Sequence, residues 1–348
     1  MKLSTIIKNN LMKKVLLVAT GSSTFFPPIR NTFKNYGFEV TFIDYWGNFV
    51  LDTKSLAHRI VKKLPKAVSN IIIKLARQSI DKKILRTAKK IRPDCIFVTK
   101  GQDIAFDTLD SLRKLSTTVN YYPETMDQYD LIKSIVPHYT YFVNYDPYVV
   151  DLLKKEDFDN VIYIPFSADL DKNEKWEKPD EFDYNISFIG TFYPKLYAER
   201  EDILKEVKDL GLFVWGNKAW LDTELKDRYQ GHIKTEDIQT IYKKSKIVIN
   251  ADISTEVEGT GVNLRPFEVT AAGAMLLNRD DRKDIFNLFK DGEEFISFSG
   301  ANNVREKAKY YLEHEDERLK IAEAGFNRTR TGHTYSDRIG EILKIINI

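Results

Sequence analysis

A single cysteine, Cys95, stands in 348 residues. With no partner there is no disulfide framework, and its place in the apolar run 95–98 makes the thiol a small core residue of a protein kept in a reducing compartment. No apolar stretch approaches the ~20 residues that cross a bilayer, and residues 1–10 lack the uninterrupted apolar core of a secretory signal. A cytoplasmic location is therefore expected. The five histidines (His58, His138, His232, His314 and His333) are too widely spaced to read as a metal site. Glycine is scarce where a dinucleotide would need it. The turn after the first strand, Gly21-Ser22-Ser23-Thr24, has one glycine where G-x-G-x-x-G requires three, which removes NAD. Internal repeats and low-complexity tracts are absent, and no nucleic-acid-binding motif accompanies the basic residues, so nucleic acid is not an expected partner.

What is present suits a soluble α/β protein. Apolar residues make up 43% and charged ones 30%, enough to fill two cores, and the length fits two domains of about 150 residues each. The net charge of +2 conceals an asymmetry: residues 1–100 carry 20 basic and 5 acidic side chains, a net +15, which leaves −13 on the remaining 248. Between residues 54 and 92 there are 13 Lys and Arg against one acid, Asp81. Isoleucines and leucines at helical spacing make this two basic amphipathic helices parted near Pro65. Such a surface rests on anionic lipid, steers an anionic acceptor, or simply stays solvated.

Residues 1–12 show no clear period and receive no function, Met12 being a second candidate start. Residues 13–19, rich in Val and Leu, are a buried strand. A glycine turn, a helix over about 27–36 and a strand over 39–44 ending in Asp44 follow, the opening of a doubly wound α/β domain. Further strands are expected at 94–99, 117–121, 139–143 and 161–165, with a helix over about 147–155. Residues 169–181, rich in Lys, Asp, Glu and Pro, form a linker. A second series begins with strands at 184–189, 212–215, 247–250 and 274–277. Helices are expected at 238–244 and 285–289, then as far as Ala324, where Gly325 stops them. A last helix opens in residues 333–338. The expected organisation is a first domain over 1–168, the linker 169–181, a second domain over 182–332, and a C-terminal helix, 333–348, packing back on the first domain. The loop at Gly21, Ser22 and Ser23 lies at the carboxyl end of the first strand, where ligands bind in open α/β sheets, and so borders a cleft.

The densest chemistry lies in residues 261–277, G-V-N-L-R-P-F-E-V-T-A-A-G-A-M-L-L. Pro266 suits a first helical turn, Glu268 falls close to the positive end of that helix, and Gly273 ends it before a buried strand. A carboxylate there can accept from sugar or ribose hydroxyls, and the guanidinium of Arg265 can hold a phosphate. Spacing alone allows the pair to be a local ion pair instead. The phrase N-L-R-P-F-E-x-x-A-A-G-A-M-L-L resembles the signature of the group 1 glycosyltransferases, and especially of their CgeB-like spore-protein branch. The resemblance extends over roughly residues 13–340. It takes in Y-F-V-N-Y-D-P-Y with V-I-Y-I-P-F-S-A-D, then S-F-I-G-T-F-Y, then Asp284, Leu288, Phe289, Gly292 and Glu294, and finally H-T-Y at His333. His333 is expected to cap or cross between domains rather than do chemistry.

The resemblance implies the GT-B fold: α/β, two Rossmann-like doubly wound domains facing a cleft. It implies a donor site at Gly190, Tyr193, Lys195, Arg200, Gly216, Asn263, Arg265 and Glu268, with the base near Gly216 and residues 233–236. Tyr121 and Tyr122, followed by acids, match the family's aromatic and acidic run, so Glu124 or Asp127 is the candidate general base. The retaining relatives carry two glutamates separated by seven residues. Thr260 stands at the first position here, with Glu258 nearby, which leaves retention or inversion open. The expected function is metal-independent transfer from a nucleotide-sugar donor to a hydroxyl on a glycan, protein or lipid-linked acceptor. No cofactor or metal is expected, because no D-x-D pair lies beside the diphosphate site; arginine and backbone amides offset the leaving-group charge instead. The basic helices of residues 54–92 add an anionic membrane surface as a partner, with the enzyme peripheral on the inner face. The alternatives are a nucleotide-sugar epimerase of the same fold, or a non-catalytic glycan-binding or partner subunit.

Overall fold

Val15 to Ala19 are fully buried, as a continuous β-branched and leucine run requires when both faces of a strand are covered. The computed structural model that shows this describes residues 12–21, 23–47, 50–53, 55–252 and 257–348. Ser22, Lys54, the segment 1–11 and the middle of the 251–260 loop lie outside the described residues.

The first sheet contains β1 (Lys14–Ala19), β2 (Glu39–Asp44), β3 (Cys95–Thr99), β4 (Thr117–Tyr121), β5 (Tyr141–Asn144) and β6 (Val161–Tyr163). The second contains β7 (Tyr184–Ile189), β8 (Leu212–Trp215), β9 (Ser245–Asn250), β10 (Met275–Arg279) and β11 (Ile296–Phe298). Every pairing in both sheets is parallel, and the orders are β2-β1-β3-β4-β5-β6 and β11-β10-β9-β7-β8. The two doubly wound sheets expected from the sequence are therefore present. In each sheet the winding reverses between the first and third strands, at β1/β3 and β7/β9. Crevices at the carboxyl ends of these strand pairs are where such sheets take ligands.

Both basic helices form as read, Leu56–Lys63 and Lys66–Ile91, and they flank Pro65. Most strand limits move by no more than two residues. The three-residue strand β11 is too short to leave a pattern. Gly325 does not stop a helix, because it lies inside the continuous helix Glu315–Gly332. It is there for closeness: a Cβ at Gly325 would come within 2.5 Å of the Glu294 carbonyl, so helix and loop pack only if the position is bare.

One apolar cluster runs from Val15, Phe33 and Phe97 through Tyr121, Phe166 and Tyr335 to Phe267 and Leu276, and so joins the two sheets. His333 and Tyr335 sit at the crossing. The Ala168 N–H donates to the His333 carbonyl at 2.9 Å, and the Tyr335 N–H returns to the Ala168 carbonyl at 3.2 Å. Burial, with Arg338 beside it, pushes the His333 imidazole down to about 3, so it stays neutral and its Nε2 donates to the Leu288 carbonyl at 2.9 Å. The terminal helix Tyr335–Ile345 then lies against helix Phe26–Asn35, where the Tyr36 hydroxyl donates to the Ser336 carbonyl at 2.9 Å.

Candidate functional site

The 261–277 stretch folds as its residues dictate. Pro266 sits in the first turn of helix Arg265–Ala271, Gly273 takes the left-handed φ of 76°, and β10 follows. Asn263 accepts from the Arg265 N–H at 3.2 Å, and its amide pairs with that of Asn250 at the end of β9. Arg265 is thereby aimed away from Glu268. Its guanidinium donates to Asn250 Oδ1 at 2.6 Å and lies over the Phe188 ring, 5.1 Å from the centroid.

Glu268, one turn along, faces a cavity of about 660 Å³ between the lobes. Among the described residues no donor reaches its carboxylate, and Arg265 is beyond ion-pair distance. Burial pushes the carboxyl up to about 7, with Arg265 acting in the opposite direction. Of the other residues named from the sequence, Gly21 and Ser23 line the same cavity from the N-terminal side, as does Glu236 from the segment expected near the nucleotide base.

A second group surrounds the turn after β7. A side chain at Gly190 would meet the Arg265 guanidinium at 3.0 Å, and one at Gly216 would come within 2.1 Å of the Gly190 carbonyl. The two glycines let the turns after β7 and β8 touch at the backbone, and Trp220 Nε1 fixes them by donating to the Gly190 carbonyl at 2.8 Å. Arg200 is buried behind this turn. It donates to the carbonyls of Ala251, at 2.9 Å, and Thr191, and stacks on Tyr197 at 3.6 Å. Burial and the neighbouring Arg265 charge push its pKa down to about 9. Among the described residues neither Arg200 nor Arg265 has a carboxylate within ion-pair distance, and Asp252 acts on Arg200 only at longer range. Tyr193 and Lys195 stand exposed at the rim.

Glu124 and Asp127 lie on the loop after β4, outside the 660 Å³ cavity. Glu124 is ion-paired to Lys100 and accepts from Gln128 Nε2 at 3.2 Å; Asp127 is exposed and accepts from the Thr125 hydroxyl. Among the described residues no cluster of three His, Cys, Asp or Glu has the arrangement of a metal site.

Sequence reasoning missed Asp146 and Asn250. Asp146, almost fully buried, caps helix Pro147–Lys155 through the Tyr148 N–H at 3.0 Å. The same oxygen reaches into the other lobe and accepts from the N–H groups of Thr260, at 3.1 Å, and Gly261, at 2.9 Å. The D-P pair announces the cap but carries no sign of the contact across the cleft.

Comparison with known proteins agrees with this two-sheet fold. Residues 200–344 match the family model described as glycosyl transferase-like. The spore protein CgeB of Bacillus subtilis is 26% identical over 209 residues, covering 55% of this chain and 62% of that protein's length. Sucrose-phosphate synthase of Thermosynechococcus elongatus superposes with a TM-score of 0.66 at 11% identity, over 96% of this chain and 99% of that one. Anabaena HepE, solved in complex with UDP-glucose, superposes with a TM-score of 0.59 at 10% identity, again over 96% and 99%. The expected resemblance to CgeB-like and group 1 glycosyltransferase sequences and the GT-B fold are borne out, the family match covering residues 200–344.

Proposed function

Taking the chain as a glycosyltransferase of the two-lobed kind, we propose that it transfers a sugar from a UDP-sugar donor to a hydroxyl acceptor without a metal ion. The observation that carries this reading is the Glu268 carboxylate in the interlobe cavity and, behind the Gly190 turn, the guanidiniums of Arg265 and Arg200, none of the three having an ion-pair partner among the described residues. The carboxylate grips the ribose hydroxyls. Arg265 takes the diphosphate at the Gly190 turn, with Arg200 adding charge from beneath and Lys195 closing from the rim. Uridine is favoured because HepE, of the same fold, has been solved with UDP and with UDP-glucose.

The acceptor oxygen attacks the anomeric carbon as the bond from that carbon to the diphosphate oxygen breaks. The diphosphate leaves with the electron pair, stabilised by Arg265, and the acceptor proton passes to a carboxylate, for which Glu124 and Asp127 are the candidates. The donor requirement and the single buried thiol fit a cytoplasmic enzyme. A thermal-shift comparison of UDP, GDP, TDP and CMP tests the donor class, with UDP expected to give the largest rise. Calorimetry on Glu268→Ala and Arg265→Ala tests the site. Wild-type UDP affinity in both variants overturns it, and loss of transfer on adding EDTA overturns the metal-free step.

A further inference from the structure

The two basic helices carry more than charge. Residues 55–80 contain no Asp or Glu, and the outward sides of both helices are apolar. On helix Leu56–Lys63, Leu56 is 66% exposed and Ile60 54%, spaced four apart, with Leu64 at the end of the helix; on helix Lys66–Ile91, Ile71 and Leu75 are each 59% exposed, with Val68 one turn earlier. The helices already have an inward side. Val61 on the first, and Ser69, Ala76, Ile80, Ile84 and Ala88 on the second, are buried, with Ile80, Ile84 and Ala88 in the core cluster that includes Leu16 and Val18 of β1 and Ile96 and Val98 of β3. The outer apolar row is thus a second face that is left exposed among the described residues. Exposed Arg59, Lys62, Lys63, Lys66 and Lys74 flank it, and among the described residues Lys62, Lys63, Lys66 and Lys74 have no carboxylate partner.

We infer that this helical hairpin docks on an anionic lipid bilayer, its leucines and isoleucines entering the boundary between headgroups and acyl chains while the lysines contact lipid phosphates. The charge pattern selects the occupant. A second copy placed symmetrically on the same face would bring the two unneutralised lysine rows together, whereas an anionic surface neutralises both the charge and the exposed apolar area. The hairpin does not cross the bilayer, since no helix among the described residues is long and apolar enough to do so. The inference rests on the proposed transferase reading, and it narrows the acceptor to one held at a membrane surface. A groove of about 530 Å³ between helix Lys66–Ile91 and the loop after β3, lined by Asn70, Lys74, Arg77 and Gln102 among others, opens beside the apolar row.

The test is flotation of the intact chain with phosphatidylcholine vesicles that contain or lack phosphatidylglycerol, at low and high salt. Wild type is expected to float with the anionic vesicles, weakly with the neutral ones, and less at high salt. The triple variant Ile60→Ser, Ile71→Ser, Leu75→Ser should lower the anionic partition at least about tenfold, as should Lys62→Glu, Lys63→Glu, Lys66→Glu. UDP calorimetry runs alongside: wild-type UDP affinity shows that the variants are folded, and it keeps failure of membrane docking distinct from failure of the donor assignment. If a triple variant loses UDP binding, the single variant Ile71→Ser or Lys63→Glu decides in its place, with an expected drop of about threefold. Wild type that does not float with anionic vesicles, a variant that floats as wild type does, or a wild-type dimer that the serine variant abolishes overturns the inference.

Discussion

Glu268→Gln separates the proposed role of this carboxylate from a packing one, because the amide keeps the volume while it removes the charge and one of the two acceptor oxygens. In the empty protein the carboxyl titrates at about 7, since burial in the cleft wall costs the ionised form more than Arg265 returns. Ribose hydroxyls that donate to the carboxylate favour the ionised form, so binding must release a proton wherever the empty site is protonated. Below pH 7 the affinity of wild type for UDP should therefore fall, approaching tenfold per pH unit, and well above pH 7 it should level off. On that plateau the glutamine variant loses charge-assisted hydrogen bonds worth roughly 1.5–3 kcal/mol, which is about 10- to 150-fold in affinity. The phosphate of UDP also titrates at about pH 6. The diagnostic quantity is accordingly the ratio of wild-type to variant affinity, measured by calorimetry from pH 5.5 to 8.5 in buffers of differing ionisation enthalpy. The ratio should rise with pH and flatten above 7. Parallel pH profiles for the two proteins would refute the carboxylate's part in binding, whatever the size of the offset between them.

The same carboxyl has a signature in stability. From pH 4.5 to 6.5 the native state holds an extra proton on Glu268, whose pKa is raised from 4.5, while the unfolded chain holds one on His333, whose native pKa is depressed from 6.5. The two slopes cancel in wild type. In Glu268→Gln the opposing Glu268 slope is gone, and stability should fall on acidification by about 1.4 kcal/mol per pH unit relative to wild type across that window, as read from urea midpoints. Asp146→Ala strips the acceptor from three backbone N–H groups, two of them in the other lobe; a loss of roughly 3 kcal/mol in unfolding free energy is expected, together with weaker UDP binding as the loop ahead of Asn263 loosens. Gly216→Ala places a methyl 2.1 Å from the Gly190 carbonyl, so the turn must shift and UDP affinity should drop at least about tenfold while circular dichroism is retained. Arg265→Lys keeps the charge but loses the planar fork, and should recover less than half of the binding free energy that Arg265→Ala removes.

The elements that were legible in the sequence are those whose cause is local. A run such as 15–18 of Val and Leu must be a doubly covered strand, Pro147 after Asp146 must open a helix, and Gly273 must close one. The Arg265 and Glu268 pair was found because the residues that orient it, Asn263 and Pro266, stand within three positions of one or the other. What escaped is the chemistry made between distant segments. Asp146 reads as a helix-end acid, and Glu258 and Asp284 enter only through the family resemblance, yet each bonds across the lobes: Asp146 to the backbone at Thr260 and Gly261, Glu258 to the Tyr148 hydroxyl at 2.8 Å, and Asp284 to the Tyr163 hydroxyl. Gly325 misled for the complementary reason. Its local message, a helix stop, is overridden by a carbonyl some thirty positions earlier in the chain that leaves no room for a side chain. These acids bear on the proposed function, because they fix the loop that leads into the 261–277 stretch against the other lobe. An acid that sits beside Thr260, where the two-glutamate relatives carry their first carboxylate, reaches that place from the opposite lobe, so removing it disturbs interlobe geometry and the donor motif together. A variant that loses UDP affinity through Asp146 should accordingly lose it with the pH profile of the Glu268 site unchanged, since the carboxylate that titrates is still in place.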